Sequence, residues 1–120
     1  MKASWNEIPP EVVRPGVTRR GFGTDNCLVV MNHCAPGMEL KPHSHDFDQI
    51  ALFTQGHAIY TVDGVRHEVA PGDVLLIPAG QTHYCEPVGD EIVHNIDIFA
   101  PMRADYAHLL AWMKDAAPPS

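Results

Sequence analysis

The chain has 120 residues, 45% of them hydrophobic, and carries 15 acidic against 8 basic side chains for a formal charge of −7. That length suffices for one domain with a real core, and the charge has the wrong sign for gripping phosphate backbones or anionic membranes, so neither nucleic acid nor membrane is an expected partner. No apolar run approaches the ~20 residues needed to span a bilayer, and Met1 to Glu7 lack the apolar stretch of a signal peptide, so a soluble, cytoplasmic protein is expected.

In chain order, turn signals recur at the rhythm of an all-β sandwich or barrel. Leu28 to His33 reads as a strand ending at Ala35-Pro36-Gly37, and Gln49 to Thr54 as a strand ending near Gly56. Asp63-Gly64 between Val62 and Val65 is the pair that a two-residue hairpin turn requires, since both central residues need positive φ. Ala70-Pro71-Gly72-Asp73 fits a type II turn. Val74 to Ile77 is an uninterrupted apolar run too short for a typical helix, which predicts a buried strand. A last strand is expected over Glu91 to Phe99. Tyr106, Leu109, Leu110 and Met113 then recur at helical spacing, with Asp105 as a first-turn acid or cap, predicting a helix over about 104–115 packed on the outside. Residues 116–120, Ala-Ala-Pro-Pro-Ser, are expected to fray.

Cys27, Cys34 and Cys85 contain no CxxC pair, which argues against a disulfide framework or a zinc ribbon and suits a reducing compartment. Cys27 and Cys34 read as small buried hydrophobes. His57, His67 and His108 read as ordinary surface or core histidines.

His43, His45 and Gln49 lie between Gly37 and Gly56, and Gly72, Pro78, Gly80 and His83 form a second ordered set. Residues two apart on an extended chain face one side, so His43 and His45 can present imidazoles to one point. His83 must be brought alongside by strand pairing. Asp48, offset by one from Gln49, turns to the opposite face and reads as a surface or supporting acid rather than a ligand. In spacing and order the two sets resemble the motifs of the cupin superfamily, over about residues 12–103. The resemblance implies an all-β double-stranded β-helix (jelly-roll barrel) with a short C-terminal α-helix, as one domain over 1–120. It also implies one divalent metal ion, iron, nickel, zinc, manganese or copper, held by His43, His45, Gln49 and His83.

This chain departs from the general cupin pattern twice. Gln49 stands where a glutamate ligand is usual; a neutral amide leaves more positive charge on the metal, favouring Lewis-acid chemistry over oxygen activation. Pro87 stands where a structural asparagine is usual, which implies no loss of metal binding.

Alternation on the last strand puts Asn95, Asp97 and Phe99 on one face and His94, Ile96 and Ile98 on the other. Asp97 can act as general acid or base, Phe99 can pack on a ring and Arg103 can clamp a carboxylate. Equally, Asp97 can be a salt-bridge partner, Phe99 a core residue and Arg103 a solvated cation. Within the superfamily, His43 to Gln49 and Asp97 to Arg103 are similar to the small KdgF-like cupins of pectin and alginate breakdown. That resemblance implies a catalytic trio of Asp97, Arg103 and Phe99 and the ring opening or tautomerisation of a small-molecule substrate, a 4,5-unsaturated uronate. The alternatives are a ferrous dioxygenase acting on a diketone, enol or phenol, and a noncatalytic cupin that binds a small ligand, for which no attached DNA-binding domain is expected to report the binding. The apolar Ile96 and Ile98 face predicts cover by the C-terminal helix or by a second copy in a homodimer. Whether Tyr84, Cys85 or His94 reaches the pocket depends on strand irregularities that spacing leaves open.

Overall fold

The computed structural model describes residues 1–115, so the expected fraying of 116–120 lies outside the described residues. Among the described residues nine strands form: β1 Glu11–Arg14, β2 Val17–Thr24, β3 Cys27–Cys34, β4 Gln49–Gln55, β5 His57–Val62, β6 Val65–Val69, β7 Val74–Ile77, β8 His83–Val88 and β9 Val93–Phe99. They make a six-stranded sheet in the order β1-β2-β3-β9-β4-β7 and a three-stranded sheet in the order β6-β5-β8. The assigned pairings are antiparallel. Val17, Ala51, Phe53 and Val93 from the larger sheet meet Ala58, Tyr60, Val62 and Val69 from the smaller in one buried cluster. This is the expected jelly-roll architecture.

Local chemistry explains the turns. Asp63 and Gly64 have φ of 49° and 80°, the double positive φ of the hairpin joining β5 to β6. Gly56 faces a second demand besides its φ of 78°: a Cβ there would lie 2.7 Å from the Ile92 carbonyl oxygen. Pro87 sits in β8, an edge strand of the smaller sheet, where a missing N–H is tolerated.

Two expectations are corrected. The run Val74 to Ile77 is a strand, but not a buried one: β7 is an edge strand, and Val74 and Leu76 are 70% and 59% exposed. Only Ile77 turns fully inward, opposite Gln49. The C-terminal segment is not one α-helix but a 3-10 helix over Ala104–Leu110 followed by α1, Trp112–Asp115. Nor does it pack on the outside. Leu109 joins Leu28, Val30 and Phe99, with Tyr106 and Leu110 against them, and Val30 and Leu28 are the register partners of Asp97 and Phe99. Ala104–Leu110 therefore lies on the site side of the larger sheet, while Trp112 beyond it packs against Phe22 on the other face, with ring centroids 6.1 Å apart. Gly21 permits this approach, because a Cβ there would be 2.6 Å from the Leu109 Cβ. Gly21→Ala should therefore cost about 1–3 kcal/mol in urea denaturation as the segment is pushed off the sheet; unchanged stability would show the contact to be slack. No helix among the described residues is long and apolar enough to cross a membrane.

Candidate metal centre and adjoining cavity

The backbone brings the three motif histidines together in a way that spacing alone did not specify. His43 lies outside the named strands, in an isolated bridge with His83. Its N–H donates to the His83 carbonyl at 3.2 Å, and the His83 N–H returns a bond to the His43 carbonyl at 2.9 Å. The Gly80 N–H donates to the His45 carbonyl at 2.7 Å, so the turn after Pro78 anchors the same segment. Gly80 has a φ of 81°, which explains the residue type at that position. Asp48 accepts a 2.9 Å bond from the Ala79 N–H, steadying this turn from outside the ligand cluster, as its offset implied.

The hydrogen bonds settle which ring nitrogen faces inward. The Nδ1 atoms of His43, His45 and His83 lie 2.9 Å from the carbonyl oxygens of Lys41, Phe47 and Gln81. A carbonyl oxygen can only accept, so each Nδ1 carries the proton and each neutral ring keeps its lone pair on Nε2. One ligand atom from each ring falls within 4.8 Å of the others. His83 is fully buried, and its Nε2 has no hydrogen-bond partner. Burial, with His43 and His45 alongside, pushes its pKa down to about 4, so the ring is neutral at physiological pH.

Gln49 completes the arrangement. Its Oε1 stands 3.0 Å from His45 Nε2, yet in this tautomer both atoms are acceptors. Two lone pairs facing each other call for a cation. The rest of the Gln49 side chain lines the same cavity as Asp97 and Tyr60. The buried orphan nitrogen, the three inward lone pairs and the carbonyl oxygen fit a divalent metal.

A cavity of about 340 Å³ adjoins this cluster, lined by Gln49, Tyr60, Asp97, Phe99 and Arg103 among others. Asp97 receives bonds from Asn32 Nδ2 at 2.8 Å and Asn95 Nδ2 at 2.9 Å. Burial pushes its pKa up to about 6, against the opposing pull of those amides, Gln49 and the Arg103 charge. No salt bridge to Asp97 occurs among the described residues. Phe99 is both core and cavity wall: it is 2% exposed and packs edge-on to Phe47 and Tyr106.

Arg103 is not a solvated cation. Its guanidinium carbon lies 3.7 Å from the Tyr106 ring centroid, 4.6 Å from that of Phe47 and 4.9 Å from that of Phe99. Its Nε and Nη2 donate to Asp105 at 3.1 and 2.7 Å, which leaves the Nη1 corner for a ligand. Asp105 thus anchors Arg103, and that ion pair lowers its own pKa.

Tyr84 and Cys85 line the cavity, whereas His94 packs at a tilt against His33 with ring centroids 3.9 Å apart, as its register partner on the opposite face. His108 pairs with Glu11 on the surface, and His57 is exposed, matching their ordinary readings. Asn32, Tyr60, Phe47 and Cys34 were not anticipated at the site. Asn32 alone left a trace, as a polar residue that with His33 interrupts an apolar run, but its pairing with Asn95 is a matter of register that one strand cannot reveal.

The AraC-like ligand binding domain model matches residues 29–111. The chain is 42% identical over 48 residues to the dimethylsulfoniopropionate lyase DddW of Ruegeria pomeroyi, covering 40% of this chain and 32% of that one. It is 29% identical over 102 residues to the acireductone dioxygenase of Geobacillus thermodenitrificans, covering 75% of this chain and 56% of the other. The chain thus spans roughly a third to just over half the length of these curated relatives. The solved structure of KdgF from Halomonas sp. superposes with a TM-score of 0.75 at 27% identity, covering 83% of this chain and 94% of that one. With the family match covering well over half of the residues and the barrel shared with solved cupins, the chain belongs to the AraC-like ligand-binding domain family and has the cupin fold.

Proposed function

We propose that this protein is a metal-dependent enzyme that opens the ring of a 4,5-unsaturated uronate. The observation that carries this reading is the placement of Asp97 and the stacked Arg103 on one cavity with the histidine cluster. The likeness to KdgF adds to it. His43, His45, His83 and Gln49 would hold one divalent ion, which would supply Lewis-acid stabilisation of charge on a substrate oxygen.

Opening a cyclic hemiacetal removes the proton of the anomeric hydroxyl and breaks the ring carbon-oxygen bond. It leaves an enolate that becomes a ketone by taking a proton on carbon. Nothing is oxidised and no atoms are lost. Asp97 takes the first proton and returns one at the end, with its carboxylate held in place by Asn32 and Asn95. The Arg103 Nη1 corner orients the substrate carboxylate, and Phe99 packs against the ring.

Anaerobic incubation with an unsaturated galacturonate, loading one metal at a time, should bleach the ultraviolet absorbance of the enol ether above the spontaneous rate. A second reading, a ferrous dioxygenase, is favoured by the acireductone dioxygenase likeness over 75% of the chain. Oxygen uptake with a diketone or enol, and no anaerobic bleaching, would replace the first reading by the second. Tight binding of the uronate without conversion would favour a ligand-sensing role.

We also propose a homodimer through the uncovered face of the larger sheet. Val29, Ile98, Ile50 and Leu76 align across it in register, and Ile50 and Leu76 are 44% and 59% exposed. Sedimentation of wild type should show a dimer that Leu76→Asp weakens; a monomer at micromolar concentration would contradict it.

A further inference from the structure

We propose that Arg14 is a specificity-determining residue of the same cavity, holding a second oxyanion of the substrate, a carboxylate or a sulfate or phosphate ester, apart from the group that Arg103 takes. Arg14 ends β1, an edge strand of the larger sheet. Residues two apart on a regular strand share a face, so Arg14 would point outward with Val12, which is 74% exposed. The pairing with β2 prevents this. Val12 lies opposite Thr18 and Arg14 opposite Val17, so the register slips between them and β1 bulges. Opposite residues of an antiparallel pair share a face, and Val17 is buried in the core cluster. The bulge therefore turns Arg14 inward, and both it and Val17 line the cavity.

The side chain is anchored on one edge only. Its Nε donates to the Glu39 carbonyl oxygen at 2.9 Å, which fixes the guanidinium plane. Among the described residues neither Nη1 nor Nη2 makes a hydrogen bond or an ion pair. That end presents the parallel N–H groups that match a carboxylate, sulfate or phosphate. The cavity also gathers positive charge: Arg14, Arg19, Lys41 and Arg103 line it, half of the 8 lysines and arginines in a chain of formal charge −7. Arg19 is paired with Glu11 and Arg103 with Asp105, whereas Arg14 and Lys41 have no acidic partner among the described residues. A substrate with a single carboxylate needs only Arg103. The inference rests on the proposed function for the role of Arg103, and under that reading the substrate is an unsaturated uronate bearing a second carboxylate or an esterified sulfate or phosphate.

Binding alone tests the contact at Arg14. Calorimetric titration of the full chain, loaded with zinc and again after chelation, compares butyrate with its 4-carboxy, 4-sulfo and 4-phosphono derivatives, which differ only at the far end. In both forms at least one derivative should bind about tenfold or more tightly than butyrate, the worth of a charge-assisted hydrogen bond, and the one that does identifies the second group. Arg14→Met, which keeps the reach of the side chain, should bring that ratio to near parity. Should methionine unfold the chain, Arg14→Lys, which keeps the charge and loses the fork, should still lower it. Arg19→Met should leave it unchanged, because Arg19 is already paired with Glu11. Parity in wild type, a preference lost on chelation, or a preference that survives in folded Arg14→Met would overturn the proposal. Equal loss in Arg19→Met would assign the preference to the general field of the cavity and overturn it as well. Absent ring opening with the preference intact would refute the uronate reading and leave the Arg14 contact standing.

Discussion

Asp97→Asn should lower uronate turnover by about 10²–10⁴-fold, the usual worth of a positioned acid or base, while one metal ion per chain stays bound. Asparagine keeps the shape and one acceptor oxygen, so at least one of the bonds from Asn32 and Asn95 survives. What it loses is the ability to take and return a proton. The carbonyl oxygen of Gln49 faces His45 and does not depend on the charge of residue 97. Metal content and turnover measured on the same preparation separate the two roles. Turnover within a factor of three of wild type would remove Asp97 from proton transfer. Lost metal would instead make its main role that of holding Gln49.

His83→Ala should act in the opposite pattern, abolishing metal binding and turnover together. His83 is the one ligand candidate that is fully buried with an unpartnered Nε2, so its ring has no other bond for that nitrogen to make. Even supporting residues around metal ligands are worth 10–100-fold in affinity, so loss of a ligand should weaken binding by ~100-fold or more in calorimetric titration. Circular dichroism tells whether the variant is folded, and His83→Gln, which refills part of the space, keeps the test open if alanine fails. Wild-type metal affinity in either folded variant would exclude His83 as a ligand.

The contrast between these residues shows what a single sequence discloses. His43, His45, Gln49 and His83 were legible because the motif glycines and Pro78 fix the local chain, and local chain geometry is what spacing encodes. The strand positions of Asp97 and Phe99 followed from alternation for the same reason. Register was not legible: Asn32 meets Asp97 only because β3 and β9 pair with Val30 opposite Asp97. The stack of Arg103 on Phe47, Phe99 and Tyr106 joins three separate segments, and nothing local to any of them announces it. Val74 to Ile77 was misread as buried because an apolar run does not reveal whether it lies at a sheet's edge or centre. The 3-10 turn replaced the expected helix where Gly21 lets Leu109 settle onto β2, a tertiary contact that helical periodicity does not contain.

The most direct test of the metal centre is anomalous scattering from crystals of the full chain soaked in zinc or manganese. The predicted result is one strong peak per chain, bounded by the Nε2 atoms of His43, His45 and His83 and by Gln49 Oε1. No peak there, or a peak at the His33 and His94 pair on the opposite face instead, would contradict the assignment and the chemistry built on it.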